Sequence, residues 1–370
     1  MTYLLRLSRA LASTRALLGK VAALACASVV GGCTPSTTPI VDGSGKAIPG
    51  SVARLRQVRL GGLDQWILER GHDTRRPVLV YLHGGPGSSE LPFVRAFGAD
   101  LERRFVVVSW EQRGAGKTFR AGTDPRTMTI DRFLGDLHEL VAHLKRTFAK
   151  EKVYLLGHSW GSALGMLYVS RHPEDCVAYA GTGQSVNVAE GERLSYEFTV
   201  RRARETGNAT ALKELAELGR PPYAGDPDEV LAKVTKQREW LQELGGTLYD
   251  KRNASLATSI VMGAPEYSLG DILAYPKAIA FSLKTVGPEY LRVNLLEQVP
   301  SVSVPVFFLQ GRMDYTTPSV IVERYVEKLT APRKELIWFD RSAHSPIFEE
   351  PATFARTLIE RFESVGPPPR

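Results

Sequence analysis

Cysteine is scarce in this sequence, with three residues in 370, at positions 26, 33 and 176. Two of them fall in the N-terminal stretch described next, so Cys176 remains alone in the rest of the chain and we expect no intramolecular disulfide. No period of about 20–50 residues repeats, which argues against a solenoid or a propeller. Outside the N-terminal stretch there is no dense basic run, so nucleic acid is not an expected partner. What remains, 43% hydrophobic and 24% charged residues, is ordinary for a globular protein.

The first 32 residues have the pattern of an export signal. Residues 1–20 carry four basic side chains and no acidic one, and an almost wholly apolar run, Val21 to Val30, follows. A basic start, a short apolar core and small residues at the end are typical of a signal peptide, and this core is too short to span a bilayer as a helix. Val30-Gly31-Gly32-Cys33 also resembles the lipobox of bacterial lipoproteins. We predict a lipoprotein signal peptide over residues 1–32 and lipidation at Cys33.

This leader changes the charge and the expected location. The formal charge of +7 includes four leader residues, so the chain without them carries about +3 (43 basic minus 40 acidic residues). Residues 33–50 are rich in Thr, Pro, Gly and Ser, which predicts a flexible tether. We expect an exported protein held by lipid at Cys33 in the bacterial cell envelope. Plain secretion or a periplasmic location, with an incidental cysteine, is the alternative.

Beyond residue 50 the apolar segments alternate between strand and helix patterns. Predicted strands cover residues 55–60, 65–70, 77–82, 104–110, 153–156, 176–180, 306–310 and 334–339. Such alternation predicts an α/β fold with a mostly parallel sheet covered by helices on both faces. Residues 186–299 differ, because helical stretches at 191–205, 209–218 and 228–244 occur there without a convincing strand. We interpret them as a helical cap inserted between two parts of one core, residues 51–185 and 300–370.

The short stretch Gly157-His158-Ser159-Trp160-Gly161 lies between a predicted strand and a predicted helix. Strand, G-x-S-x-G and helix in this order indicate a nucleophile elbow. A serine on so sharp a turn has strained backbone geometry and an exposed hydroxyl at the N-terminus of a helix. Ser159 is therefore the candidate nucleophile.

A serine hydroxyl needs a base, and the base needs an acid to hold its tautomer. Downstream of Ser159 the chain has two histidines, and His172 falls at the far end of the helix, about 20 Å away at 1.5 Å per residue. His344, in a loop after a predicted strand, is the candidate base. Asp314, directly after the preceding strand, is the candidate acid, and Asp340 is its competitor.

The oxyanion of a tetrahedral intermediate needs backbone donors. We expect one N–H from Trp160, the residue after the nucleophile, and one from the run His83-Gly84-Gly85-Pro86-Gly87. Gly85 is the candidate and Gly84 its rival. A phosphate-binding loop is not indicated, since no G-K-[ST] sequence ends this run.

Five motifs now carry a family resemblance: HGGPG at 83–87, WEQRGAGKT at 110–118, GHSWG at 157–161, GRMDYTTP at 311–318 and AHSP at 343–346. Together they resemble the proline iminopeptidase branch of the α/β-hydrolase fold. The resemblance implies Ser159, Asp314 and His344 as catalytic residues, Gly85 and Trp160 as oxyanion donors, and neither a metal nor an organic cofactor.

Two departures concern the residues around these motifs. The family commonly has glycine where His158 stands and aspartate where Glu111 stands. Proline-releasing members also bind the free amino group of the substrate with cap glutamates, often in an A-W-x-x-W-E helix that is not found here. Glu190 and Glu192 are candidate amine partners, with Glu197 and Glu266 as further possibilities and surface solvation as the alternative role.

We therefore expect a serine hydrolase that works through an acyl-serine intermediate. An aminopeptidase of the proline iminopeptidase type, releasing N-terminal residues from short peptides, is the leading interpretation. A carboxylic ester or lactone hydrolase is the alternative, because the same residues serve both reactions. A catalytically inactive, lipid-anchored binding protein is the interpretation from a different class. The sequence does not give the oligomeric state.

Overall fold

An eight-stranded sheet forms the centre of the computed structural model, which describes residues 35–119, 123–250 and 253–366, with the backbone alone at 253 and 254. The strand order is β1-β2-β4-β3-β5-β6-β7-β8. β1 and β2 form an antiparallel hairpin, β2 pairs antiparallel with β4, and all other pairs are parallel. The strands are β1 (Val52–Leu60), β2 (Leu63–Gly71), β3 (Val78–Leu82), β4 (Val106–Trp110), β5 (Val153–His158), β6 (Cys176–Thr182), β7 (Val306–Gly311) and β8 (Lys334–Phe339).

Helices cover both faces of this sheet. They are α1 (Leu91–Phe97), α2 (Ala99–Glu102), α3 (Ile130–Phe148), α4 (Trp160–Arg171), α5 (Val188–Glu205), α6 (Ala209–Leu218), α7 (Pro227–Glu243), α8 (Asn253–Met262), α9 (Leu269–Thr285), α10 (Gly287–Tyr290), α11 (Leu295–Gln298), α12 (Ser319–Lys328), α13 (Pro346–Glu349) and α14 (Pro351–Glu363). Alternate residues of the central strands face opposite sides. In β3, Val78, Val80 and Leu82 pack with α3, α4 and α12, whereas Leu79 and Tyr81 pack with α1, α2 and α14. The predicted α/β-hydrolase architecture is confirmed.

The segment between β6 and β7 is helical and comprises α5 to α11. It has two small apolar clusters of its own. One joins α8 and α9 through residues such as Val261, Ile272 and Ile279, and the other joins α5, α6 and the end of α7 through Tyr196 and Leu215. These two clusters are separate from the sheet's core, whereas other cap residues, such as Val188 of α5 and Leu295 of α11, pack into that core.

The predicted tether is not free where the structure describes it. The amide N–H of Ser36 donates to the Pro265 carbonyl at 3.2 Å, and Thr37 Oγ1 donates to Glu266 Oε1 at 2.8 Å. The side chain of Ile40 is 6% exposed, and Arg70 Nη1 donates to the Thr38 carbonyl at 2.6 Å. We call residues 36–48 the N-terminal strap. Composition predicts a flexible linker here, but the buried isoleucine and the hydrogen bonds to the domain fix the chain in place.

The predicted signal peptide and the lipidation site at Cys33 lie outside the described residues. Among the helices that are described, none combines the length and the apolar character needed to cross a bilayer.

Candidate active site

Ser159 lies on a tight turn between β5 and α4. Its φ of 55° and ψ of −121° are unusual for a residue with a side chain, and such strain is typical of functional positions. The turn requires glycine on both sides. A Cβ on Gly157 would stand 2.5 Å from the Gly161 carbonyl oxygen, and one on Gly161 would stand 2.1 Å from the Leu82 carbonyl oxygen. The strand, turn and helix therefore form the elbow geometry that the motif predicts.

His344 and Asp314 are in direct contact beside the same cavity. His344 Nδ1 lies 3.0 Å from Asp314 Oδ2, and both side chains are almost fully buried. Asp314 Oδ1 accepts the backbone N–H groups of Thr316 and Thr317 at 2.8 and 2.9 Å. These donors orient the carboxylate so that its other oxygen faces the imidazole. Ser159 and His344 both line the cavity.

The rival residues are placed elsewhere. Asp340 is exposed and pairs with Arg312 at 2.5 Å. His172 follows the last residue of α4, at the opposite end of that helix from Ser159.

The loop that carries His344 is fixed by the helix after it. Glu349 Oε1, on α13, accepts the backbone N–H groups of Ala343 and Ser345 at 3.0 and 3.1 Å, on either side of the histidine. Burial lowers the pKa of His344 below its ordinary value, and the Asp314 carboxylate opposes this only in part. A neutral imidazole, the form a general base requires, is thus favoured.

Gly85 and Trp160, the two candidate oxyanion donors, differ from the rival Gly84 in the hydrogen bonding of their backbone N–H groups. The Gly84 N–H donates to Glu90 Oε2 at 3.1 Å, so it is already engaged. Within the described residues, no hydrogen bond occupies the N–H of Gly85 or that of Trp160. Gly85 has a φ of 117°, which favours glycine, and it lines the cavity. Gly85 is therefore the better placed of the two glycines.

A buried ion pair, which the motifs do not reveal, connects these parts. His158 Nδ1 lies 2.7 Å from Glu90 Oε1, and its Nε2 lies 3.0 Å from the carbonyl oxygen of His344. Glu90 Oε2 also accepts the Tyr81 hydroxyl at 2.7 Å, besides the Gly84 N–H. A carbonyl and an ionised carboxylate both accept, so with Glu90 charged the imidazole donates from both nitrogens and carries a positive charge.

The pKa directions of this pair agree with that assignment. Burial alone disfavours the imidazolium, but the Glu90 carboxylate outweighs it and raises the pKa of His158. Burial likewise disfavours the carboxylate, but His158 and further donors lower the pKa of Glu90 to about 2. Glu90 and His158 thus join the oxyanion loop, the elbow and the histidine loop. The only sequence signal was His158 itself, as a departure from the family's glycine.

The cap closes over the oxyanion loop through two tyrosines. The Tyr267 hydroxyl donates to Glu111 Oε1. Ser89 Oγ lies 2.8 Å from the Tyr267 hydroxyl oxygen and 2.8 Å from Glu111 Oε1. Tyr275, on α9, donates to the Ser89 carbonyl. Burial raises the pKa of Glu111 to about 7, against these donors. The α8–α9 hairpin, residues 253–285, is therefore bonded to the segment that follows Gly85.

A cavity of about 460 Å³ extends from Ser159 under the cap, with walls that are mainly apolar. The two predicted amine partners are placed differently. Glu192 lines the cavity and is paired with Arg238, whereas Glu190 is absent from its wall and is paired with Arg324. Glu190 is therefore less well placed than Glu192 for a substrate contact, because its carboxylate faces α12 instead. Glu197 pairs with Arg193 and Arg220, and Glu266 is buried against Arg95.

Comparisons with known proteins agree with this geometry. Residues 77–351 match the family model described as alpha/beta hydrolase fold. The chain is 32% identical over 309 residues to a Bacillus subtilis (strain 168) protein named probable aminopeptidase YbaC, covering 83% of this chain and 96% of that protein. It is 26% identical over 307 residues to the proline iminopeptidase of Heyndrickxia coagulans, covering 78% of this chain and 91% of the relative.

Among solved structures, a proline iminopeptidase-related protein from Thermus thermophilus superposes with a TM-score of 0.63. That match covers 85% of this chain and 98% of the other, at 18% identity, so it supports the fold alone. The elbow, the His344–Asp314 pair and the matched family model lead to one conclusion. The chain belongs to the α/β-hydrolase fold family, as a proline iminopeptidase-like member.

Proposed function

We propose that this protein is a serine aminopeptidase of the proline iminopeptidase type, which releases N-terminal residues from short peptides through an acyl-serine intermediate. The observation that carries the proposal is the 3.0 Å contact between His344 and Asp314 at the cavity that holds Ser159. The names of the relatives, aminopeptidase and proline iminopeptidase, support the substrate class.

The proposed reaction follows from the roles of these groups. Ser159 Oγ attacks the scissile carbonyl while His344 Nε2 accepts the hydroxyl proton, and Asp314 stabilises the resulting imidazolium at Nδ1. The N–H groups of Gly85 and Trp160 donate to the developing oxyanion, an effect worth about a hundred- to thousandfold in rate per donor. His344 then passes its proton to the leaving amine. Water, activated in the same way, releases the acyl group and regenerates Ser159.

A fluorophosphonate probe tests the nucleophile and separates an enzyme from an inactive binding protein. The wild type should be labelled at Ser159, and S159A should lose labelling together with roughly a millionfold of the turnover. Ser170, near the other end of α4, donates to the Leu167 carbonyl at 2.9 Å and offers the matched control, since S170A should label as the wild type does. Labelling that persists in S159A would remove Ser159 from the mechanism.

The competing activity is hydrolysis of a carboxylic ester or lactone. The mainly apolar cavity wall favours an apolar acyl group, which either reaction could supply. Rates on a proline arylamide and on short-chain aryl esters distinguish the two. Amide turnover at a comparable or higher kcat/KM supports the peptidase, and ester turnover without amide turnover eliminates it.

Glu192 is the proposed partner of the substrate's free amino group. Of the two predicted glutamates, Glu192 is the one that lines the cavity, although its carboxylate also forms an ion pair with Arg238. E192Q should raise KM for a proline arylamide with a smaller effect on kcat, because ground-state binding is lost. E190Q is the control and should leave KM unchanged. Equal behaviour of the two variants would exclude Glu192 as the amine site.

The location of the protein is also a proposal. We infer export, lipidation at Cys33 and attachment to a membrane of the cell envelope from the basic leader and the lipobox-like sequence. Metabolic labelling with a fatty acid should mark the wild type and not C33A. Labelling of C33A, or no label in either protein, would contradict the anchor.

A further inference from the structure

Exposed apolar side chains are concentrated on one part of the cap. In the described residues eight large hydrophobic side chains are exposed, and four of them, Leu256, Met262, Leu269 and Leu273, fall within the α8–α9 hairpin. Leu269 is 67% exposed and Leu273 is 50% exposed. Single exposed apolar residues are normal, but a group of them marks an interaction surface. We call these four residues the outer face of the hairpin.

The outer face has few charges around it. Between residues 255 and 273 the charged residues are Glu266, which is 0% exposed, and Asp271, which is bonded to Lys117 at 2.7 Å. The remaining exposed positions of this stretch are small or hydroxylated. Within residues 255–273 no exposed charged side chain interrupts this surface, and the next exposed charge along the hairpin is Lys277, one turn after Leu273.

The inner face of the same hairpin is already used. Ile272, Tyr275 and Ile279 are buried in the cluster that α8 and α9 share, and Tyr267 and Tyr275 bond to the core. The outer face therefore cannot turn inward without breaking these contacts. It needs a partner outside the described domain or it stays in water.

The position of the N-terminal strap indicates which partner this is. The strap begins at the hairpin's connecting loop, where Ser36 and Thr37 bond to Pro265 and Glu266. Position 33 precedes Ser36 by three residues, and an extended chain spans at most roughly 3.6 Å per residue. The chain length therefore limits the candidate lipidation site at position 33 to within roughly 11 Å of Ser36.

We propose that the outer face of the α8–α9 hairpin is a membrane-contacting surface that rests in the interfacial layer of a lipid bilayer. An apolar surface with few charges, beside the proposed lipid anchor, would bury its side chains about 5–10 Å into the headgroup and acyl boundary. The hairpin also forms part of the cavity wall through Leu256, Ala257 and Ile260. The cavity rim would then face the lipid, so the surface favours substrates with an apolar portion that partitions into the bilayer.

Spin-label accessibility in vesicles tests this contact directly. The full-length protein is reconstituted on vesicles of phosphatidylethanolamine and phosphatidylglycerol, with a nitroxide attached at Met262→Cys. On binding, collisions with oxygen should rise and collisions with a water-soluble nickel chelate should fall. A label at Glu151→Cys, in the exposed turn before β5, is the control and should remain accessible to the chelate.

A charge variant shows whether the outer face causes the protection. L269E/L273E should restore chelate access at position 262 on vesicles, since burying two carboxylates is unfavourable. Val320 is 57% exposed on α12, which packs at the β8 edge, and V320E is the matched control that should leave the protection intact. Leu269, Leu273 and Val320 do not line the cavity. Proline arylamide turnover and thermal unfolding should therefore match the wild type.

Other occupants give different results, and each would overturn the proposal. Full chelate access at position 262 while the protein is bound would mean that the hairpin stays in water. Protection that is present without vesicles and accompanied by spin–spin broadening would indicate a second copy of this chain. Protection without vesicles and without broadening would indicate that residues 1–34 cover the face. Failure of the arylamide assay alone would count against the proposed function and not against the membrane contact.

Discussion

At the scale of single residues, the site combines two buried imidazoles with opposite charge preferences. His344 is favoured neutral because burial lowers its pKa, whereas His158 is favoured charged because Glu90 raises its pKa. Their ring centroids are only 4.8 Å apart. A cation next to the base opposes its protonation, so the His158–Glu90 pair helps to keep His344 ready to accept a proton.

The fall of kcat/KM at acid pH should reveal the lowered pKa of His344. From the ordinary pKa of a histidine alone, activity would be lost below about pH 6. With the pKa of His344 lowered from 6.5, kcat/KM should persist to lower pH and then fall as the base becomes protonated. The measurement is kcat/KM for a proline arylamide across the acid range. A midpoint at or above about pH 6.5 would contradict the lowered pKa.

Replacing His158 by glutamine tests whether the charged imidazolium of this residue stabilises the fold. H158Q keeps the size but removes the charge, leaving Glu90 buried without its partner, at a cost of about 3 kcal/mol. Because the pKa of His158 is raised, its stabilisation is complete below about pH 6.5 and is lost as the pH rises through the raised value. The difference in unfolding free energy between wild type and H158Q should therefore shrink from pH 6 to pH 9.

The same variant should lower kcat more than it raises KM. His158 bonds to the carbonyl oxygen of His344, so its replacement should displace the proposed base and affect the transition state most. H138Q is a suitable control, since His138 is about half exposed and remote from Ser159. A pH-independent stability difference would contradict the charged form of His158.

The proposed catalytic positions could be predicted because the chemistry restricts them to few residue types. Ser159 was indicated by a motif between strand and helix, and His344 by elimination among two downstream histidines. Glu90 could not be predicted, because its importance comes from three partners at positions 81, 84 and 158 that meet only in the folded chain. The different placement of Glu190 and Glu192 has the same origin, since two residues along a helix correspond to a rotation of roughly 200° about its axis.

At the scale of elements, the cap is connected to the oxyanion loop by the start of α9. Tyr267 and Tyr275 reach the core at Glu111 and Ser89. The sequence predicted three of the cap's seven described helices with similar bounds, for example 209–218 against the observed Ala209–Leu218, and it did not predict α8 to α11 individually. It did not predict these bonds, because long-range polar contacts leave no periodic signal in either segment.

Removing the Tyr267 hydroxyl should weaken this connection. Y267F leaves the buried Glu111 with one donor fewer and should lower the free energy of unfolding by about 1–3 kcal/mol. Chemical denaturation measures the effect. Tyr249 is 51% exposed, so Y249F is the control and should change stability by no more than about 0.5 kcal/mol. Equal effects of the two variants would mean that the Tyr267 contact adds nothing to stability.

At the scale of the whole molecule, the N-terminal strap extends the domain beyond the predicted core boundary at residue 51. I40A should lower the free energy of unfolding by about 2–4 kcal/mol, as large-to-small changes in packed sites do. The neighbouring Val41 is 45% exposed, so V41A is the matched control and should have little effect. Indistinguishable denaturation curves for the two variants would restore the flexible tether. The composition did not predict the packed strap, because small polar residues also occur in surface segments that pack closely against a domain.

The two ends of the described chain leave the domain at different places, and this has a practical consequence. The last described residues lie near Tyr154, close to the start of β5, where the Gly366 carbonyl accepts the Tyr154 hydroxyl at 3.4 Å. Ser159 follows the opposite end of that strand. Immobilising the enzyme on a resin or fusing a reporter through its C-terminus would leave the cavity open to reagents. Attachment ahead of residue 35 would instead press the cap against the support.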